Sequence, residues 1–172
     1  MITRAPDGEI IVKAADRWVQ LQANESVKGR RFQEKSCFLG VIAEITVLHW
    51  SDFYIGDGIK YDLTKGPMRL ELKTSIRNIN PRPSDTAKIP ANYLAHAEAS
   101  GITHLLFASI NRMTLLVTLC GFISIDEFKR QAKCYLKGEI PEGDDKPRNC
   151  DTYQIEYRHL RQPKTYKGKW SI

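Results

Sequence analysis

Tyr61-Asp62-Leu63-Thr64-Lys65-Gly66-Pro67-Met68-Arg69-Leu70-Glu71-Leu72-Lys73-Thr74 decides how this chain is read. Residues 60–64 and 68–74 are strand-like, and the Lys65-Gly66-Pro67 connection is short and rich in turn formers. Together they predict a β-hairpin. Side chains alternate along a strand, so Leu70 and Leu72 face one side while Arg69, Glu71 and Lys73 face the other. With a loop spanning residues 65–68, Asp62 and Glu71 stand directly opposite each other, their Cβ atoms about 5 Å apart. Like charges that close destabilise a sheet unless something neutralises them. The bland alternative is an exposed, solvated strand face on which Arg69, Glu71 and Lys73 alternate.

Upstream of the hairpin, residues 33–50 form a helix with Phe38, Val41, Ile42, Ile45 and Leu48 in one apolar stripe. Glu44 lies at the margin of that stripe, three residues after Val41 and four before Leu48. Residues 14–23 read as a short helix showing Trp18 and Leu21, and residues 1–9 as a loose leader. Downstream, a proline-bearing loop (Pro81, Pro83, Pro90) precedes a helix at residues 90–100 that presents Tyr93, Leu94 and Ala97 and stops at Gly101. Residues 105–110 and 114–122 are apolar enough to be central strands buried on both faces. Ser124-Ile125-Asp126-Glu127 has the form of a capping box opening a helix with Phe128, Ala132 and Tyr135, closed by Gly138. A charged loop and a last strand at 152–157 follow. The fold class implied is α/β, a mixed central sheet flanked by helices in one domain, with its core at about 33–160.

The chain has 172 residues, 42% hydrophobic and 27% charged, which is the composition of a globular domain and excludes disordered or fibrous classes. No apolar run approaches the about 20 residues that a membrane-spanning helix needs, and the N-terminus lacks a signal-peptide stretch, so a cytoplasmic setting is expected. Cys37, Cys120, Cys134 and Cys150 are scattered without zinc spacing and read as reduced, mostly buried thiols. The net charge of +6 points modestly to an anionic partner, and its placement says more. Lys28, Arg30, Arg31 and Lys35 crowd one segment. Arg158, Arg161, Lys164, Lys167 and Lys169 fill an acid-free tail at 158–172, interleaved with Tyr166 and Trp170. Basic residues among aromatics suit phosphate contacts and base stacking, although a frayed terminus explains the tail equally well.

A divalent cation would neutralise the facing acids, since Mg²⁺ takes hard oxygen ligands and binds one or two carboxylates together with substrate phosphate. Lys73 projects from the same face as Glu71, where an ammonium stabilises charge on an attacked phosphate or helps a bound water lose its proton. Tyr93 and Lys88 can face the same place, though packing and solvation account for them more simply. Asp126 and Glu127 are explained by the helix start they occupy.

Gly40-Val-Ile-Ala-Glu44-Ile-Thr, then Tyr61-Asp62-Leu63, then Leu70-Glu71-Leu72-Lys73-Thr74 occur in that order. The series resembles the PD-(D/E)xK nuclease superfamily, the restriction-endonuclease-like fold, in which a helix glutamate precedes a hairpin bearing Asp and then Glu-x-Lys. The likeness covers about residues 40–160. Tyr61 stands where that family often has proline, and Asp57 is an alternative first acid. The resemblance implies a three-layer core and a Mg²⁺-dependent (Mn²⁺ substituting) endonuclease acting on double-stranded or branched DNA. It also allows a homodimer, and a stand-alone domain of this size suits a phage or mobile element. By the same likeness Asp62 and Glu71 hold the metal with the backbone carbonyl of Leu72, Lys73 is the catalytic lysine, and Glu44 orients a metal-bound water or helps hold a second ion. Lys28, Arg30, Arg31, Lys35, Arg161, Lys164, Lys167 and Lys169 would contact the nucleic acid. Two other readings stay open: a nucleic-acid-binding module that kept the fold and lost the chemistry, and an unrelated α/β interaction domain.

Overall fold

Side chains that satisfy the free N–H groups of a helix start set two of the element boundaries. Asp7 Oδ1 accepts the Ile10 N–H at 2.9 Å, so the first helix begins well before residue 14. Ser124 Oγ accepts the Glu127 N–H at 3.2 Å, the bond that the capping-box spelling predicts. In chain order the first half contains β1 (Ile2–Arg4), α1 (Gly8–Ala23), α2 (Glu34–His49), β2 (Tyr54–Ile55), β3 (Leu63–Lys65) and β4 (Met68–Arg77). The second half adds β5 (Thr86–Pro90), α3 (Ala91–Ala99), β6 (His104–Asn111), β7 (Val117–Ser124), α4 (Ile125–Gln131), β8 (Lys133–Tyr135) and β9 (Thr152–Glu156). A 3-10 turn at Tyr157–His159 and a closing hairpin, β10 (Lys164–Tyr166) and β11 (Lys169–Ser171), complete it. The computed structural model describes residues 1–23, 34–56, 62–166 and 168–171.

Six strands form a mixed sheet in the order β1-β7-β6-β4-β3-β2. Strands β4 and β6 run parallel from Leu70↔His104 to Arg77↔Asn111, and the other neighbours are antiparallel. The parallel pair needs a crossover, which β5 and α3 supply. Alternation on β6 divides the interior in two. Leu106, Ala108 and Ile110 join Leu70, Leu72 and the apolar side chains of α1 and α2. Leu105 and Phe107 join Leu94, Ala97, Phe128 and Ile155 on the opposite face. That second outer layer contains α3, α4 and a small antiparallel sheet, β5-β9-β8. The chain is therefore α/β with a mixed central sheet, as its pattern predicts.

Several boundaries differ from the sequence reading, each for a tertiary reason. The supposed leader is strand β1, paired with β7 from Ile2↔Leu119 to Arg4↔Val117. The proline-bearing loop contains β5, with Pro90 at its end, where no further ladder N–H is needed. Helix α4 stops at Gln131, and Cys134 and Tyr135, expected in its continuation, pair with β9 instead. Helix α2 is buried beyond one stripe, since Ala43, Thr46 and Val47 are inaccessible as well as Val41, Ile42 and Ile45. Cys120 is buried, but Cys134 and Cys150 are exposed thiols. No described helix is long and apolar enough to cross a membrane.

The largest revision concerns the tail. Strands β10 and β11 pair with each other, Ser51 bridges to Trp170, and the Trp170 ring is fully buried in the cluster beneath α1 and α2. The buried core therefore extends past 33–160 at both ends, through Ile10 and Ala14 on one side and Trp170 on the other. Trp170 cannot stack on a base from there. Removing so large a buried ring leaves a cavity as well as losing its transfer free energy, about 3–5 kcal/mol. Trp170→Ala should lower the melting temperature by about 10 °C in a chain this long, and truncation before residue 164 should do at least as much. Thermal melts followed by circular dichroism check this; an unchanged melting temperature would mean the tail is not part of the core.

Candidate active site

The site forms where β3 leaves β4. The two-residue turn Gly66-Pro67 sets Lys65↔Met68, Thr64↔Arg69 and Leu63↔Leu70, and there the ladder ends. Extrapolated, that register would place Asp62 opposite Glu71, as expected. Instead the Asp62 N–H donates to Leu70 O at 3.1 Å, one residue short of that pairing. The carboxylate turns onto β4, where Oδ2 accepts the Leu72 N–H at 2.8 Å. A side chain thus takes the place of the missing backbone partner. The N–H and C=O of one strand residue point to the same edge, so the Leu72 carbonyl also faces the Asp62 side.

Glu71, Lys73, Ser75 and Arg77 occupy the face of β4 opposite Leu70 and Leu72, the face covered by α3 and β5. Lys73 Nζ lies 2.8 Å from Glu71 Oε1 and 3.6 Å above the Tyr93 ring centre. The Tyr93 hydroxyl donates to the same Oε1. Both contacts fall on one oxygen, so among the described residues Oε2 remains for another ligand. The cation–π contact is worth about 0.5–2 kcal/mol and holds the ammonium beside the carboxylate.

Glu44 reaches the site from the other face of the sheet. Its side chain is 15% exposed and lies 3.9 Å from Arg17 Nε, a buried nitrogen without a hydrogen-bond partner among the described residues. Burial raises the Glu44 carboxyl above the usual range, Arg17 pulls it back, and the Glu71 charge adds to the rise. Burial pushes Asp62 up to about 7, with the charges of Glu71 and Glu44 contributing and the Leu72 N–H and Lys73 opposing. The three acids are therefore close enough to feel one another.

Among the described residues no set of three or more His, Cys, Asp or Glu side chains is close enough to hold one ion. The Asp62 and Glu71 carboxylates and the Leu72 carbonyl are donors of the kind that Mg²⁺ takes. These hard oxygens suit an ion that keeps several waters and takes the rest of its shell from a phosphate. A buried carboxylate held up to about 7 by burial and like charge is one that a cation would relieve. The residues present fit the ion.

The remaining expected residues divide. Arg161 is exposed and paired with Glu127 at 2.8 Å; Lys164 and Lys169 are exposed on the closing hairpin. Lys28, Arg30, Arg31 and Lys167 lie outside the described residues, as do the Lys35 side chain and the alternative acid Asp57. Two participants escaped the sequence reading. Arg17 was legible as a charge in the stripe Ile10-Ala14-Arg17-Leu21. Arg77 lies beyond Thr74, where the strand-like pattern ends, whereas β4 runs three residues further. Comparison of the chain with protein-family models, curated proteins and solved structures finds no match.

A raised Asp62 carboxyl has a definite sign in stability. Between the usual carboxylate value of 3.8 and about 7 the folded state binds more protons than the unfolded state, so metal-free stability falls as pH rises through that window. Asp62→Asn keeps an oxygen for the Leu72 N–H and removes the charge. It should raise the metal-free melting temperature at pH 8 by a few degrees, on the order of 1 kcal/mol, and the gain should shrink toward pH 5. Paired melts at the two pH values, in chelator, decide it; a gain that does not depend on pH would mean Asp62 is an ordinary solvated acid.

Proposed function

We propose that this chain is a metal-dependent nuclease that hydrolyses phosphodiester bonds of DNA as an endonuclease, in the manner of the PD-(D/E)xK proteins it resembles. The observation that carries the reading is the turning of the Asp62 carboxylate onto the Leu72 N–H beside Glu71. It gathers two acids and a main-chain carbonyl at one strand edge, with Lys73 two residues along. Bound Mg²⁺ or Mn²⁺ would supply Lewis acidity toward the phosphate and a lowered pKa for attacking water.

The protein's own groups have separable tasks in this reading. Asp62 and Glu71 would hold the cation, which would offset the folding cost of packing their charges together. Tyr93 and Lys73 grip Glu71 Oε1, which fixes the carboxylate plane and leaves Oε2 directed elsewhere. Lys73, ion-paired with Glu71, would stabilise negative charge growing on the phosphate oxygens. Glu44, steadied by Arg17, is placed to orient water.

Lys73→Ala should abolish nicking of supercoiled plasmid in Mg²⁺ while leaving Mn²⁺ stabilisation of the fold largely intact, because the lysine is not a ligand. Plasmid nicking and melts with and without Mn²⁺ measure both. More than about a tenth of wild-type cleavage would remove Lys73 from the mechanism, one decade being roughly 1.4 kcal/mol of barrier. A wild type that shows no metal-dependent cleavage of any DNA would favour a module that has kept the site and lost the chemistry.

A further inference from the structure

The site continues into a cleft that the reading above leaves unused. Between β4 and β5 lies a cavity of ≈ 400 Å³ that begins at Lys73 and ends at Arg77, with Lys88 on its opposite rim. Among the described residues its walls carry these three cations and no carboxylate. Each cation has an acid partner: Lys73 pairs with Glu71, Arg77 with Asp85 at 2.9 Å, and Lys88 with Asp144 at 3.0 Å. The lining mixes hydroxyls with apolar surface: Ser75 Oγ lies 3.2 Å from the hydroxyl of buried Tyr157, beside Ala87 and Phe107. Cations and hydroxyls beside an aromatic ring suit an anion that also carries sugar-like hydroxyl and ether oxygens and an apolar face.

Strand geometry ties the cleft to the chemistry. Glu71, Lys73, Ser75 and Arg77 share one face of β4, so cations and hydroxyls follow one another at about 6.6 Å intervals away from the acids. A polymer with regularly spaced phosphates can lie along such a row, whereas a small anion would use one position of it. The Arg77–Asp85 ion pair closes one end and the Ser75–Tyr157 contact closes the floor, each spanning from β4 to the chain segments facing it. The volume is that of a small-molecule pocket. Two paired backbones, held about 6 Å apart across even the narrower groove of B-DNA, do not enter it.

We propose that the β4–β5 cleft binds one unpaired nucleotide adjoining the phosphate to be cut, with its phosphate between Arg77 and Lys88 and its sugar against Ser75. The cut strand is then single on that side of the scissile bond, and the preferred substrate is a frayed, flapped or branched DNA rather than continuous duplex. The inference rests on the nuclease reading for its orientation, but its test does not need cleavage. Anisotropy of a fluorescein-labelled DNA strand of about 12 nucleotides, and of the blunt duplex of the same sequence, is measured in chelator over a range of salt. Wild type should bind the single strand at least about tenfold tighter than the duplex, and Arg77→Ala or Lys88→Ala should flatten the salt slope by about 0.7 per lost phosphate contact. Lys88 is exposed, so its variant answers even if loss of the Arg77–Asp85 pair unsettles the fold. Equal affinity for duplex, or a salt slope that neither variant changes, overturns the proposal. Metal-dependent nicking by wild type scores the nuclease reading separately: nicking without strand preference sinks the cleft alone, and strand preference without nicking sinks the nuclease alone.

Discussion

Strand β4 is paired with β6 from Leu70 to Arg77, but its described pairing with β3 stops at Leu70. That inequality is the constraint on which the candidate site depends. A central strand half-buried in a sheet must find partners for its backbone groups on both edges, because an unmade buried hydrogen bond costs about as much as several made ones contribute. The Leu72 N–H finds its partner in the Asp62 carboxylate. A main-chain oxygen there would leave the edge electrically quiet. A carboxylate brings a charge to the one place where Glu71 already stands, and so turns a gap in pairing into a concentration of acid.

The layers on either side of the sheet divide the support of that charge. On one face, the nearly all-round burial of α2 carries Glu44 into a mostly buried setting, with Arg17 on α1 as a counter-charge 3.9 Å away. On the other, α3 is docked by Leu94 and Ala97, which presents Tyr93 to Glu71 and Lys73. Neither helix approaches the strand edge alone. Acids crowded in this way destabilise a fold, and such arrangements persist where function needs them. The second layer also stops short of covering β4 fully, and the uncovered strip is the cleft between β4 and β5.

The most local features were the most legible. The hairpin turn, the Ser124 cap, the Gly101 stop (φ 74°) and the buried run of β6 all follow from residues within a few positions of each other. Where the reading failed, the deciding contact was distant in sequence. Residues 2–4 carry too little pattern to be recognised as a strand until β7 offers its edge. Residues 133–135 would extend a helix, but pairing with β9 wins. Trp170 reads as an exposed aromatic among lysines because its neighbours in the chain are polar; in space it is fully buried in the cluster that includes side chains of α1, α2 and the sheet. Gly121 is a similar case, since a Cβ there would lie 2.6 Å from Leu160 Cβ, a clash thirty-nine positions away along the chain.

The sequence by itself determined the α/β class, the hairpin, and the order in which Glu44, Asp62, Glu71 and Lys73 are presented, because alternation and helical period act over short spans. It also set which residues share a face of β4, since period-two alternation needs no tertiary information. Only the tertiary structure decided that the Asp62 carboxylate leaves the ladder for the Leu72 N–H, that Arg17 and Tyr93 stand beside the acids, and that a cation-walled cleft opens beyond Lys73. These depend on how separate elements dock, and docking is governed by burial summed over the whole core rather than by any window of the chain.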